Sequence, residues 1–355
     1  MSLREQVGQL IIAGVEGTSL TSVERAWLKL IRPGGVILFR RNIEEAAQTT
    51  SLLREANEIA GSPLFRCVDV EGGLVDRLRD LIAPMPSAAA VFATGKPANF
   101  KKHGRLIGQA VRTLGFNVTF APVLDLALPA SASVMRTRVT SPDPQQVIAY
   151  AKAFLDGLTR ERVLGCGKHF PGLGGGVLDS HETMPVIKRT WEQMWNEDLI
   201  PFRALSQLLP FVMVSHASYS LVTNGATPAS ISHYWITTIL RERIGFRGLV
   251  VSDDMEMGGI LTQASIEEAA IEAVLAGTDL IEICKDPALV IRAYEALLSE
   301  AEKSAAFRRR VRSAWRKIMQ SKQAWLDHRM PRPVTAKRMD DLREAVKVFA
   351  ESVSA

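Results

Sequence analysis

Short apolar runs, each as long as a buried strand, recur along the chain and alternate with segments of helical periodicity. One helical segment is 44–60 and another is 265–276. In the second, Ser265 and Glu268 have the spacing of a capping box, and Gly277 stands where the helix should end. The eight runs, rich in Val, Ile, Leu and Phe, are 8–15, 35–39, 64–69, 117–125, 163–169, 211–216, 248–253 and 278–284.

This alternation predicts an α/β fold with parallel strands and crossover helices. Eight strand–helix units favour a closed (β/α)8 TIM-type barrel. A doubly wound open sheet is the alternative, although no glycine fingerprint follows the first run.

The strand pattern stops near residue 285, and the remaining chain is helical by composition, with a proline-containing link at 330–333. We interpret these helices as packing around the barrel. The sequence therefore predicts a single domain over 1–355, with the barrel at about 8–300 and extra C-terminal helices at about 300–355.

Composition indicates a globular chain, with 47% hydrophobic and 23% charged residues. Three widely spaced cysteines inside apolar runs predict buried thiols in a reducing compartment. The first apolar run is too short for a signal peptide or a membrane span. We therefore expect a cytoplasmic protein with no membrane span.

The net charge of +5 is concentrated in one C-terminal segment, because 303–347 holds 14 Lys/Arg and 4 Asp/Glu. A solvated helical face explains this segment better than an acidic partner does. We expect no nucleic-acid partner.

Ionisable residues collect at the carboxyl ends of the apolar runs. In a barrel these ends converge on one mouth, where active sites lie. Helix capping explains one or two such residues but not all of them. The residues are Asp69, Asp125, Lys168, His169, His216 and Asp253.

The stretch K-H-F-P-G-L-G-G-G-V-L-D-S-H, residues 168–181, combines glycines with titratable groups. Such a loop predicts a mobile arm that carries Asp179 and His181. An imidazole can give and take a proton near neutral pH, and a nearby carboxylate orients it. A phosphate cradle is disfavoured because the P-loop and dinucleotide spacings are missing. Metal binding is disfavoured because no His/Cys pair has ligand spacing.

The run 248–253 ends in two carboxylates, Asp253 and Asp254. Strand alternation aims them in opposite directions, so only one faces the mouth, and periodicity does not decide which. A fixed carboxylate could attack an anomeric carbon while a histidine protonates the leaving oxygen. Most glycosidases use a second carboxylic acid for that proton, so a histidine would be a departure.

From about residue 10 to residue 286 the chain resembles single-domain bacterial β-N-acetylglucosaminidases of glycoside hydrolase family 3. The resemblance implies a (β/α)8 barrel that removes N-acetylglucosamine from peptidoglycan fragments during cell-wall recycling. Seven motifs carry it, in the order and at spacings similar to those of the family: GGVILFRRN (34–42), VDVEGGLVDRL (68–78), FAPVLD (120–125), KHFPG (168–172), DSH (179–181), LRERIGFRGLVVSDDMEM (240–257) and AGTDLIEIC (276–284).

The resemblance also implies roles for individual residues. Asp253 matches the nucleophile, His181 the acid/base on a mobile loop, and Asp179 its partner. Three departures, Leu173, Val70 and Leu74, stand where the family usually has His, Gln and Arg. The residues that match sugar-binding positions are Asp69, Arg77, Arg138, Lys168 and His169.

The leading hypothesis is a retaining exo-β-N-acetylglucosaminidase (EC 3.2.1.52) with a covalent glycosyl–Asp253 intermediate. Its expected partner is a small carbohydrate, a muropeptide containing N-acetylglucosamine, and it needs no cofactor. A phosphorylase or a β-glucosidase on the same scaffold is the alternative. Two more distant hypotheses are a non-catalytic sugar-binding barrel and an aldolase-like barrel with a Schiff base on Lys168.

Overall fold

The computed structural model describes residues 1–176, 184–326 and 334–354, and in these residues eight parallel strands close into a barrel. Each predicted apolar run contains one strand, so the barrel expectation is confirmed and the open-sheet alternative is wrong. The strands are β1 (Ile11–Gly14), β2 (Gly35–Leu38), β3 (Phe65–Val68), β4 (Val118–Thr119), β5 (Leu164–Phe170), β6 (Phe211–Val214), β7 (Leu249–Asp254) and β8 (Leu280–Ile283).

The strands are continuously apolar because side chains on both faces are buried, one face in the barrel interior and the other under the helices. Every residue of β2 and β6 is buried. Parallel pairing aligns Gly35 with Phe65 and Leu38 with Val68, and β8 closes the ring by pairing with β1. The carboxyl ends of all eight strands therefore meet at one mouth.

A two-stranded antiparallel hairpin follows β3 directly and was not predicted. Its strands are Val70–Gly72 and Val75–Asp76. The Asp76 carboxylate fixes the hairpin to the next segment, because it accepts the backbone N–H groups of Leu78 and Met85, both at 3.0 Å. The hairpin thereby holds the chain after β3 at the barrel mouth.

Helices surround the barrel, and the one helix whose ends were predicted has those ends. Ser265 and Glu268 form the expected capping box, and Gly277 ends that helix at a φ of 122°. The α-helices are α1 (Leu3–Gly8), α2 (Ser22–Ile31), α3 (Ala46–Ala60), α4 (Ala88–Ala93), α5 (Pro97–Thr113), α6 (Ala132–Met135), α7 (Pro144–Arg160), α8 (Trp191–Gln193), α9 (Ile200–Leu205), α10 (Ser220–Thr223), α11 (Gly258–Leu261), α12 (Ile266–Ala276), α13 (Pro287–Lys303), α14 (Ala305–Trp325) and α15 (Ala336–Ser354); 3-10 turns are Arg40–Asn42, Pro129–Ser131, Arg136–Arg138 and Ala229–Ile231, and π-helical segments are Met194–Asp198 and Tyr234–Arg243.

The C-terminal helices pack on the barrel, as expected. Helix α14 covers the amino end of the strands, where the buried Lys322 donates from Nζ to Gln9 Oε1 at 2.7 Å. Helix α15 packs against α4 and α5. The extent of the single domain stays a prediction. In the part of the chain that the structure describes, no helix combines the length and the apolar character needed to cross a membrane.

The three cysteines are buried and carry free thiols, as the sequence predicted. Cys67 lies in β3 and Cys166 in β5, and both are fully buried, whereas Cys284 follows β8. Their thiols lie in the interior beneath the mouth.

Candidate active site

A cleft with a cavity volume of about 130 Å³ opens among the carboxyl ends of the strands, and we call it the mouth pocket. Its walls also include apolar residues, among them Met213 from β6. Six predicted site residues line it, together with two acidic residues that were not singled out from the sequence. The charged lining residues are Asp69, Glu71, Arg77, Arg138, Lys168, His169, Asp253 and Glu282.

Lys168 is the central cation of the mouth pocket. Its Nζ donates to Asp69 Oδ1 at 2.8 Å and to Glu71 Oε1 at 2.7 Å, and its side chain is almost fully buried. Burial by itself lowers the pKa of Lys168, but the two carboxylates outweigh burial and raise that pKa above its usual value. A nucleophilic lysine needs a depressed pKa, so this site opposes the Schiff-base hypothesis.

Glu71 joins Lys168 to Arg138. Arg138 donates from Nε and Nη2 to the two Glu71 oxygens, both at 2.8 Å, in a bidentate pair. Burial favours the neutral form of Glu71, but the two cations outweigh burial and hold its pKa far below the usual range. The cluster of Asp69, Glu71, Lys168 and Arg138, which we call the clamp, is therefore held together by ion pairs.

His169 lies beside the clamp and is oriented from both sides. Its Nδ1 donates to Asp125 Oδ2 at 2.7 Å, and Arg138 Nη2 lies 3.3 Å from its Nε2. Asp125 also accepts the backbone N–H of Leu173 at 2.7 Å. The Asp125 carboxylate therefore fixes the orientation of the His169 ring through the Nδ1–H group. Asp125 thus holds His169 from the side away from the pocket and is not itself a lining residue.

Of the two carboxylates at the end of β7, Asp253 is the one that lines the mouth pocket. Burial raises the pKa of Asp253, but His169, His216 and Lys168 outweigh burial, and the net pKa lies below the usual value. The backbone N–H of Asp254 donates to Asp253 Oδ1 at 3.0 Å. An ionised carboxylate at neutral pH, held in place, is what a nucleophile requires.

Asp254 is turned away from the mouth pocket, as strand alternation requires. Its Oδ1 accepts the Glu256 backbone N–H at 3.0 Å, and burial raises its pKa to about 7. His216 lies behind it and donates from Nε2 to the Asp254 carbonyl at 2.9 Å. His216, at the end of its run, therefore supports the end of β7 and does not line the pocket.

Asp179 and His181, the predicted acid/base pair, lie outside the described residues. The chain on either side of them is described and lies at the pocket: Leu173 and Gly176 line it before the gap, and Pro185 lines it after the gap. Tyr219 donates from its hydroxyl to the Gly172 carbonyl at 2.9 Å, which holds the first part of this loop.

Arg77 and one of the three residues that depart from the family pattern, Leu173, lie at the pocket. Arg77 lines the mouth pocket, and its guanidinium lies 5.5 Å from the centroid of the Phe39 ring. Leu173 also lines the pocket, Val70 is buried, and Leu74 is exposed on the hairpin. Two of the departures therefore lie away from the pocket wall.

Two lining residues were missed from the sequence, Glu71 and Glu282. Glu71 follows Asp69 by two residues, the spacing that puts two side chains on one face of an extended chain. Glu282 is a single carboxyl inside the apolar run of β8. An acid inside such a run is costly unless it is paired or used, and that signal could have found it. Among the described residues, no group of three or more His, Cys, Asp or Glu side chains could hold a metal ion.

Comparison with known proteins gives the family of this chain. The model of the glycosyl hydrolase family 3 N-terminal domain matches residues 2–320. The chain belongs to glycosyl hydrolase family 3. A protein named β-hexosaminidase from Idiomarina loihiensis is 34% identical over 306 residues, which cover 85% of this chain and 91% of the relative. A β-hexosaminidase from Thioalkalivibrio sulfidiphilus is 36% identical, with 82% and 85% of the two chains covered.

Solved structures of the family agree with the barrel. A family 3 β-N-acetylglucosaminidase from a Paenibacillus strain superposes with a TM-score of 0.89 at 29% identity, covering 99% of this chain and 69% of that one. A β-N-acetylhexosaminidase from Beutenbergia cavernae gives a TM-score of 0.84 at 27% identity, covering 91% and 99%. The prediction of a family 3 glycoside hydrolase of the β-hexosaminidase type is confirmed.

Proposed function

We propose that this glycoside hydrolase is a retaining exo-β-N-acetylglucosaminidase that removes N-acetylglucosamine from muropeptides in the cytoplasm. The observation that carries the proposal is the ionised carboxylate of Asp253 in the mouth pocket, facing the clamp. The relatives named β-hexosaminidase support the sugar class.

In the proposed first step, Asp253 attacks the anomeric carbon of the terminal sugar and forms a covalent glycosyl ester. The glycosidic bond breaks, and His181 protonates the leaving oxygen. Asp179 orients His181 and favours its cationic form. In the second step His181 takes a proton from water, and the water oxygen bonds to the same carbon while the ester bond to Asp253 breaks. The Asp253 carboxylate is restored, and the sugar leaves with its configuration retained.

The clamp supplies sugar binding and no proton. The four members of the clamp are bound to one another in ion pairs, so none of them is free to act as the proton donor. Charged groups make strong hydrogen bonds to hydroxyls. This leaves the leaving-group proton to the loop that follows Gly176, and both described ends of that loop lie at the pocket rim.

The reaction course is tested by proton NMR of the first sugar released. Retention predicts the β anomer, and an α product would overturn the double displacement. Asp253→Ala should abolish turnover. Asp254→Asn is the matched control, because that carboxylate binds the Glu256 N–H instead of lining the pocket. It should keep activity within a few fold.

The role of His181 is tested by leaving-group dependence. His181→Ala should slow natural substrates much more than aryl glycosides, whose phenolate leaves without a proton. Equal losses on both would remove His181 from this role. Product analysis with phosphate present separates hydrolysis from phosphorolysis, since a phosphorylase would give the sugar 1-phosphate. Relative rates on aryl glucoside and aryl N-acetylglucosaminide separate a β-glucosidase.

A further inference from the structure

Glu282 occupies an unusual place in the barrel. It lies in β8, lines the mouth pocket and is only 3% exposed. Its backbone N–H donates to Ser252 Oγ at 3.0 Å, which fixes this part of β8 to β7. The buried thiols of Cys67 and Cys166 are among its neighbours in the interior. Glu282 therefore lies at the floor of the pocket, on the side away from solvent.

One oxygen of the Glu282 carboxyl accepts a hydrogen bond, and the other has no hydrogen-bond partner among the described residues. Oε1 accepts from the Cys284 thiol at 2.9 Å. Oε2 is buried and finds no partner among the described residues. Buried carboxyl oxygens are normally satisfied, and an orphan at a pocket wall points to a ligand group that completes it.

The charges around Glu282 favour its neutral form. In the described ranges no cation forms an ion pair with it, because Lys168 and Arg138 are already bonded in the clamp. Burial raises the pKa of Glu282 well above its usual range, and the nearby carboxylates of Asp69, Asp254 and Asp253 add to that effect. A neutral carboxyl carries one O–H donor, and Asp69, Glu71 and Asp253 are acceptors.

We propose that Glu282 is a specificity-determining residue of the glycosidase, whose carboxylic O–H donates a hydrogen bond to the hydroxyl group that the terminal sugar carries to the pocket floor. The inference rests on the proposed exo action, in which the non-reducing end of the sugar enters first. The leaving group then points to the mouth, so an acid at the floor does not reach the glycosidic oxygen. This position gives Glu282 a binding role and leaves the acid role to the loop.

A substitution of Glu282 distinguishes a role in sugar binding from a role in packing alone. Glutamate and leucine differ little in volume, and Glu282→Leu removes an oxygen without a partner and one hydrogen bond from a thiol, which is a weak donor. If Glu282 only filled space, Glu282→Leu would keep both stability and activity. A site that reads a hydroxyl rejects ligands lacking it, because its own polar group is then left without a partner.

The experiment compares wild type, Glu282→Leu and Glu282→Gln on an aryl N-acetylglucosaminide and on its 3-, 4- and 6-deoxy analogues. Glu282→Leu should lower kcat/KM about 10- to 100-fold on the full sugar. On one of the three analogues wild type and Glu282→Leu should agree within about threefold. Glu282→Gln keeps an N–H donor and should retain most of the activity. Thermal unfolding of Glu282→Leu should occur at or above the wild-type temperature.

Met213→Leu is the matched control, because Met213 lines the same pocket without a polar donor. Any loss it causes should be shared equally by all four substrates. The proposal is overturned if Glu282→Leu is as active as wild type, or if its loss is the same on every analogue. Should Glu282→Leu not fold, the same comparison with Glu282→Met decides. Failure of the proposed exo action shows separately, because wild type would then not release single sugars from the non-reducing end of an oligosaccharide.

Discussion

Arg138 binds Glu71 through two parallel hydrogen bonds, each 2.8 Å long, and the Glu71 carboxylate is almost fully buried beneath the mouth pocket. Lys168 shares one of the Glu71 oxygens. One carboxylate therefore holds two cations that face the substrate. Because Arg138 belongs to the 3-10 turn Arg136–Arg138 and Lys168 to β5, this pairing also fixes the distance between two separate segments of the barrel mouth.

Glu71→Gln tests this relationship. The amide removes the negative charge between two buried cations, and breaking a buried pair from one side costs about 3–5 kcal/mol. We expect a loss of this order in the free energy of unfolding, measured by urea denaturation. Because Lys168 and Arg138 lose their fixed positions, KM should also rise by about tenfold or more in steady-state kinetics.

Glu267→Gln is the control for that experiment. Glu267 pairs with Arg292 at the surface, where the Arg292 side chain is exposed and the Glu267 side chain is partly exposed. Exposed pairs contribute less than about 1 kcal/mol, so stability and kinetics should stay near wild type. If Glu71→Gln behaved like Glu267→Gln, the buried pairing would not organise the site.

The raised pKa of Asp254 predicts that the free energy of unfolding depends on pH. Burial raises its pKa from 3.8 to about 7. For an acid with a raised pKa in the folded state, the stabilising contribution is full below pH 4 and is lost as pH rises through 7. Asp254→Asn keeps an oxygen acceptor for the Glu256 N–H and has no such titration. We expect the variant to gain roughly 1–3 kcal/mol over wild type between pH 4.5 and pH 7.5.

Urea unfolding at those two pH values measures the effect. Asp253→Asn serves as the comparison, since the pKa of Asp253 is lowered and its sign is opposite. A carboxyl with a lowered pKa completes its titration below about pH 4, so that variant should differ from wild type by the same amount at pH 4.5 and at pH 7.5. A difference between Asp254→Asn and wild type that does not change with pH would contradict the assigned position of Asp254.

The barrel could be predicted from the sequence because strands that are buried on both faces are mostly apolar along their length. Such runs can be recognised in a single sequence. Much of the site could be predicted from the carboxyl ends of these runs. Ionisable residues such as Lys168 and Asp253 stand there because this end of each strand opens to the mouth.

The remaining features depend on contacts between distant segments. Glu71 lies on a hairpin that no local pattern separated from the strand before it. The direction of Asp253 against Asp254 depends on how β7 sits in the closed barrel, and periodicity alone left it open. Glu282 was taken as part of an apolar run because its neighbours are apolar. In each of these cases the missing information is tertiary.

Lys322 gives a prediction far from the mouth pocket. It lies in α14 at the opposite end of the barrel, buried against Gln9 and the ring of Phe65. Burial lowers the pKa of Lys322 from 10.5 to about 7. For a base with a depressed pKa in the folded state, the stabilising contribution is full above pH 10.5 and is lost as pH falls through 7.

Lys322→Met removes this titration while filling the same space. Relative to wild type, the variant should become more stable by roughly 1–3 kcal/mol when pH falls from 9.5 to 7, measured by urea unfolding at both values. Because α14 packs at the amino end of the strands, kcat/KM should stay within about twofold of wild type. Lys29→Met, on the exposed side of α2, is the control and should show no such change with pH. A pH-independent difference for Lys322→Met would mean that Lys322 is not held in a desolvated site, and a large loss of kcat/KM would show that the barrel's amino end is coupled to its mouth.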